Sequence, residues 1–457
     1  MYRKKDLQFL QDIYDRPSND IALLYGDKSY GLIEVITDLM RDKDCLYYRA
    51  RAVDDTTQKL FFARALHEQT RTPVFPEDDY ERLIGSYINE HTDRKKLIIL
   101  DDFSYLIKEN PTFVNFLTSL LSDRSRLGSA MFLLVSDDSG WVENDMLRII
   151  GRRSSEISGV LKLRPYTPAE FAACFPKMPY EEMIGIYSFA GGKCAIYNDI
   201  TEKTTLRDMV VKYLAIWSSR DFDPDSYLPR EIREPQVYNT ILVNLAAGMT
   251  KPKDLHKATG TDRAKLAVYL KKLMEYDIVE KKINEAAAEA SDSRKAGIYV
   301  IKDQLIRFYY RYVYANASLL QISGPERFYR RYIEHGIDEF TGSVYPLFCM
   351  DHIRYLQREG RLTFKLASVE EYNDRYDAID FIIVAAGGSV IACACKYGTA
   401  HMTHKTYEDV RASVRKNRLM CDNIWLFSSG GFDQKLVTME GETPGLKLIE
   451  GKDQRLH

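Results

Sequence analysis

Four short apolar runs set the first third of this chain: "IALLYG" at 21–26, "CLYYRAR" at 45–51, "KKLIILDDF" at 95–103 and "AMFLLVSDD" at 130–138. Each is too short for a buried helix. Between them the apolar residues recur at helical spacing, as Ile33, Ile36, Leu39 and Met40 do after the first run, and Leu7, Phe9, Leu10 and Ile13 do in a helix at 5–14 before it. Strands that alternate with helices form a largely parallel sheet, because each crossover helix must lie on one face of it. Ligands of such sheets bind at the carboxyl ends of the strands, where Gly26, Asp101 and Ser136 would gather.

The loop after the first run, "LLYGDKSYGLIEV" at 23–35, has the start of a phosphate-binding loop. Such a loop needs glycines so that backbone N–H groups can wrap phosphates, then a Lys for the β and γ oxygens and a hydroxyl for Mg²⁺. Gly26 and Gly31 keep the glycine spacing, but Leu32 and Ile33 stand where the Lys and the hydroxyl belong. Lys28, inside the loop, is the one cation within it that could turn inward.

Further along, residues 166–233 read as helices interrupted at Gly191 and Gly192, a lid-like segment. Residues 236–283 hold three amphipathic helices stopped by Gly248 and Gly260, with Asp262 placed to cap the third, which is a helix-turn-helix spacing. Two strands joined by a long Ala/Glu/Ser-rich wing follow it. Nine Lys and Arg against five Asp and Glu leave residues 250–283 at +4, in a chain whose 64 basic and 66 acidic residues otherwise nearly cancel. That local excess is a phosphate footprint, carried by Lys253, Arg263, Lys265, Lys271 and Lys272. Arg263 and Lys265 stand in the first turn of the third helix, where a recognition helix meets base edges. Residues 304–335 form an aromatic-rich helix. Residues 336–457 then alternate helix, "LTFKLA", "AIDFIIVAA", "SVIACACKYG", helix and "NIWLFSS" as a second, smaller α/β domain.

At 457 residues with 45% hydrophobic content the chain supports several folded domains. Seven cysteines without metal-site spacing suit a reducing compartment, and neither a signal core nor an 18-residue apolar run is present, so a cytoplasmic protein without membrane contact is expected. Cys393 and Cys395, two apart on one strand, read as core thiols, and His256 as a packing residue.

Several blocks in fixed order carry a resemblance over the whole chain: "RKKDLQFLQDIY" from Arg3, "LLYGDKSYG", "LIILDDFSYLIKENPTF", "GRRSSEI" from Gly151, "LRPYTPAEFAACFP", "AGGKCAIY", "YLPREIREPQVYNTIL" and "GIYVIKDQLIRFYYRYV". Together they resemble the archaeal-type P-loop ATPases. The resemblance implies an AAA-related ATPase domain at 1–165, a helical lid at 166–235, a winged helix-turn-helix at 236–303, connecting helices at 304–335 and a PD-(D/E)xK-like domain at 336–457. It further implies ATP with Mg²⁺ as cofactors, Asp101 and Asp102 as the Walker B pair, Ser136 at the sensor position, and Arg152 and Arg153 as the arginines before the lid.

This sequence departs from that pattern at both chemical centres. The loop lacks its Lys and hydroxyl. In the C-terminal domain Asp380 and Lys396 fit the nuclease pattern, but Ala394 occupies the position of the second acid and the helix acid falls near Pro346. Glu370, Glu371, Asp374 and Asp377 lie upstream and match no nuclease arrangement. One carboxylate is too few to hold a catalytic metal. The expectation is therefore a catalytically impaired member acting as a regulator that binds double-stranded DNA, a protein partner or a second copy of itself. A working ATPase using Lys28 with Asp101 and Asp102, and a pure interaction scaffold, are the alternatives.

Overall fold

In the computed structural model, residues 3–75, 78–90, 94–108, 110–123, 125, 129–229, 232–283, 297–372 and 378–454 are described. Each apolar run is a strand: β1 (Asp20–Tyr25), β2 (Asp44–Arg49), β3 (Lys96–Asp101) and β4 (Ala130–Ser136). A fifth, β5 (Gly159–Lys162), completes a sheet of order β2-β3-β4-β1-β5, and every neighbouring pair is parallel.

Alternation along β1 shows why both faces are covered. Ile21, Leu23 and Tyr25 join a core with Phe62 and Leu66 of α3 (Asp55–Thr70), while Ala22 and Leu24 join another with α1 (Lys4–Tyr14) and α2 (Leu32–Met40). Fully buried parallel strands must be apolar on both sides, as β1, β3 and β4 are, whereas β2 lies at the sheet edge and is half-buried. Within α1, Leu10 and Ile13 are buried, whereas Phe9, placed on the same face by spacing, is 38% exposed.

The chain separates into two compact units, Met1–Pro165 with Lys193–Asn198, and Tyr166–Gly192 with Asp199–His457. The second unit begins with α6 (Pro168–Cys174), α7 (Tyr180–Ala190) and α8 (Leu206–Trp217), and the first also holds α4 (Tyr80–Glu90) and α5 (Pro111–Ser122). Next come α9 (Pro235–Ala246), α10 (Pro252–Thr259) and α11 (Arg263–Glu275), whose Leu242, Leu255, Leu266, Leu270 and Leu273 are buried. An antiparallel hairpin, β6 (Val279–Lys282) with β7 (Ile298–Ile301), follows α11. The Ala/Glu/Ser-rich tip of the expected wing, 284–296, lies outside the described residues. The aromatic segment opens with α12 (Gln304–Phe308). Phe308 packs edge-on against Phe189 at 4.8 Å between ring centres, so these aromatics are core.

The C-terminal part places α13 (Tyr345–Arg358), α14 (His404–Lys416) and α15 (Gln434–Glu442) around a mixed sheet of order β12-β11-β10-β9-β8. Its strands are β8 (Leu366–Glu371), β9 (Phe381–Ala385), β10 (Val390–Lys396), β11 (Cys421–Ser428) and β12 (Leu446–Glu450). The strand expected at "LTFKLA" is displaced: it starts at Leu366 and runs into "SVEE". Antiparallel pairing with β9, which sets Glu371 opposite Phe381, fixes that register. No helix among the described residues is long and apolar enough to cross a membrane.

Candidate functional site

The carboxyl edge of the first sheet does gather Gly26, Lys28, Gly31, Asp101, Asp102 and Ser136. Gly26 N donates to Ser136 O at 3.1 Å. With φ of 143°, and an ideal Cβ only 2.7 Å from the Leu163 carbonyl oxygen, position 26 admits no side chain. The chain then enters a 3₁₀ turn over Lys28–Tyr30, capped by Asp27. The Ser29 amide donates to Asp27 Oδ1 at 2.7 Å, Tyr30 N to Asp27 O at 2.9 Å and Gly31 N to Lys28 O at 3.2 Å. Three consecutive amides of the loop thus donate to the loop's own oxygens, where a phosphate cradle would leave them facing outward.

The outer side of the loop is braced as well. Arg3 is buried, its Nε donating to Tyr30 O at 2.7 Å and its terminal nitrogen to the carbonyl of Arg164. Gly31 has φ of 90°, and an ideal Cβ there would lie 3.3 Å from Arg3 Cγ and 3.4 Å from Cys194 Cβ. α2 begins at the next residue. Leu32 has no exposure and packs in the α1–α2 core with Leu10, Leu24 and Leu133, while Ile33 faces solvent at 45% exposure. The position of the missing Lys is therefore a core position.

Lys28 is not free to replace it. Its Nζ lies 2.5 Å from Asp137 Oδ2 and 3.7 Å from Asp102 Oδ1. Arg49 Nε donates to the other oxygen of Asp102 at 2.7 Å and stands 3.8 Å from Asp101. The Tyr47 hydroxyl donates to Asp101 Oδ2 at 2.6 Å, and the Asp102 amide to Asp101 Oδ1 at 2.9 Å. Parallel register makes these contacts, since Arg49 of β2 lies opposite Asp101 of β3. Burial raises the Asp101 carboxyl above its ordinary range, and burial followed by the bond to Asp101 raises the Tyr47 hydroxyl. The bond to Asp102 raises Arg49 further.

The result is a cluster of three carboxylates and two cations that satisfy one another. Among the described residues no group of three His, Cys, Asp or Glu is arranged to hold a metal ion. Mg²⁺ would have to displace Arg49 and Lys28 from Asp102, so these residues do not fit the ion, and no phosphoryl-transfer step follows from them. Tyr47, Arg49 and Asp137 were not foreseeable as members of one cluster. The signals were a cation within "CLYYRAR" and the aspartates that close "AMFLLVSDD", each just at or after the end of its strand.

The remaining expected residues take no part in this ion cluster. Ser136 is buried and its Oγ accepts from Asp138 N at 3.1 Å, a turn at the strand end. Arg152 and Arg153 are exposed in a 3₁₀ turn, and their side chains make no ion pair among the described residues. In the C-terminal sheet Asp380 accepts from Cys395 N at 2.6 Å, and burial lifts its carboxyl to about 6. Lys396 Nζ donates to His401 O at 2.7 Å, and Ala394 packs in the core beside α14. Glu371 pairs with Lys282 at 2.6 Å, Glu370 accepts from Ser368 at 2.5 Å, and Asp374 and Asp377 lie outside the described residues. Cys393 is buried, and burial raises both strand thiols.

On α11, Asp262 accepts from Ala264 N and Lys265 N at 2.9 and 3.3 Å, and His256 contacts the Thr261 carbonyl at 2.7 Å across the turn. Lys253, Arg263 and Lys265 are exposed and form no ion pair among the described residues. Lys272 instead pairs with Glu275 at 3.1 Å, and Lys271 stands 4.0 Å from the same residue.

Residues 309–410 match the DUF234 family, described as archaea bacterial proteins of unknown function. An uncharacterized protein of Methanocaldococcus jannaschii is 24% identical over 388 residues, 83% of each chain. A Walker-type ATPase of Pyrococcus abyssi superposes with a TM-score of 0.48 at 12% identity, over 67% of this chain and 95% of that one. The ORC2 protein of Aeropyrum pernix, solved as ADPNP and ADP complexes, gives 0.44 at 14% identity, over 70% and 95%.

Proposed function

We propose that this chain is a DNA-binding regulator built on a nucleotide-binding type of unit that no longer transfers phosphoryl groups. In this reading α9, α10, α11 and the β6–β7 hairpin form a winged helix-turn-helix, and the C-terminal sheet is a PD-(D/E)xK-like domain without its chemistry. The loss of catalysis rests on the loop: Leu32 is in the core, and Lys28 is held by Asp102 and Asp137.

One observation carries the DNA contact. Arg263 and Lys265 occupy the first turn of α11, where the helix dipole is positive and cations are disfavoured. Two exposed cations at that end weaken the helix alone and become favourable once an anion is bound. A phosphate backbone supplies that anion, and the exposed face continuing along α11 is then positioned over a groove.

The test is duplex binding by fluorescence anisotropy across a salt series. Arg263→Glu/Lys265→Glu is expected to reduce the slope of log K against log salt by at least about 1.8, since each phosphate contact contributes about 0.9. An unchanged slope and affinity would remove α11 from the interface. A second reading, a working ATPase with an atypical loop, is favoured by one fact: Lys28 Nζ already lies 3.7 Å from Asp102 at the strand edge. It requires that ATP displace Asp137 from Lys28.

A further inference from the structure

A groove of about 800 Å³ opens at the turn of the β9–β10 hairpin, at the opposite end of these two strands from Asp380 and Lys396. One wall is the hairpin turn with Gly387, Gly388 and Ser389, and the other is the last two turns of α14 and the residues leading into β11. Arg411, Arg415 and Arg418 line it, and no carboxylate does. Arg411 is partly engaged, 3.8 Å from Glu408 and over the ring of Tyr407. Arg415 and Arg418 are exposed and form no ion pair among the described residues. Beside them Met420 is 92% exposed.

Arg415, in the last turn of α14, also favours that helix end, which leaves the placement of Arg418 and Met420 on the same wall unexplained. Exposed guanidiniums that share a concave wall repel one another, and an unbranched apolar side chain left in water gains nothing. Both become favourable against a chain of regularly spaced anions that also carries flat apolar surface. Arg411 and Arg415 are one helical turn apart, about 6 Å along the axis, a reach that suits successive phosphates of one strand. Guanidinium, Ser hydroxyl and glycine backbone N–H groups are the donors that hold phosphates, and an exposed Met beside them can press against a base or sugar.

We infer that this groove is a nucleic-acid contact separate from α11, with Arg411, Arg415 and Arg418 on the phosphates and Met420 against a base or sugar. The inference deepens the reading of the chain as a DNA-binding protein and rests on it for the class of ligand, but it uses no residue of α11.

The experiment measures binding of the full chain to a labelled duplex and to a labelled single strand over a salt series. Four proteins are compared: the unaltered chain, Arg415→Ala/Arg418→Ala, Arg415→Lys/Arg418→Lys, and Arg263→Glu/Lys265→Glu. Thermal unfolding verifies that each is folded, and polyglutamate serves as the competing polyanion. The alanine pair is expected to lower the salt slope by about 1.8, the lysine pair to keep it, and polyglutamate to compete poorly. An alanine pair that binds with unaltered affinity and slope overturns the groove, even if the α11 variant loses binding. Loss confined to the alanine pair retains the groove and overturns α11. Polyglutamate that displaces DNA from the unaltered chain as effectively as unlabelled DNA does would assign the groove to an acidic protein and overturn the nucleic-acid contact.

Discussion

Placing a lysine at the end of the loop with Leu32→Lys is expected to destabilise the protein by about 3 kcal/mol and to give no ATP binding. Leu32 has no exposure and packs against Leu10, Leu24 and Leu133. The substitution forfeits that burial and brings an ammonium group to the edge of an apolar core. Ile33→Thr, at a position 45% exposed, should change stability by about 0.5 kcal/mol or less. Urea unfolding of the two variants makes the comparison. A double variant that stays as stable as the parent and binds ATP would show that the loop needs only its lysine and hydroxyl.

Asp380→Asn is expected to stabilise the protein at pH 7 and above and to lose that advantage toward pH 4. The Asp380 carboxyl is held at about 6 by burial, against its ordinary 3.8. Below about pH 4 both folded and unfolded chains hold the proton, and the group does not oppose folding. Between about 4 and 6 the unfolded chain releases the proton first, so stability falls as pH rises, and above 6 the full penalty remains. That gap corresponds to at most about 3 kcal/mol. An asparagine amide keeps an oxygen to accept from Cys395 N and carries no charge. Denaturant unfolding at pH 4.5 and pH 8, conditions about either side of the transition, reads the difference. A variant less stable than the parent at pH 8 would contradict a net penalty for the ionised carboxylate at this position.

Much of this was legible in the sequence, for a physical reason. Strands buried on both faces must be continuous apolar runs, so β1, β3 and β4 announced themselves and placed Gly26, Asp101 and Ser136 on one edge. The turn glycines and Asp262 marked α9 to α11 in the same way. β5 was invisible because it has only four residues and none is buried, Val160 being 53% exposed, whereas the other edge strand, β2, has six and buries Leu46 and Tyr48. β8 was displaced because its pairing with β9, and no preference of its own, sets where it begins.

The candidate site was half legible. Motif spacing set Leu32 and Ile33 where a phosphate loop would carry Lys and a hydroxyl, and Asp101 and Asp102 at a strand end. It could not show that Arg49 and Lys28 occupy those acids, because that depends on which strands are neighbours. Retained aspartates therefore mark a structural ion cluster as readily as a metal site, and only their partners separate the two.

Calorimetric titration of the full chain with ATP, with and without Mg²⁺ and alongside Gly31→Asp, decides whether the loop receives a nucleotide. The self-satisfied loop and the pairing of Lys28 with Asp102 and Asp137 lead to the expected result, no binding heat even at millimolar ATP. Micromolar binding that Gly31→Asp abolishes would contradict it, and would make this chain a nucleotide-binding protein whose loop opens to receive the phosphates.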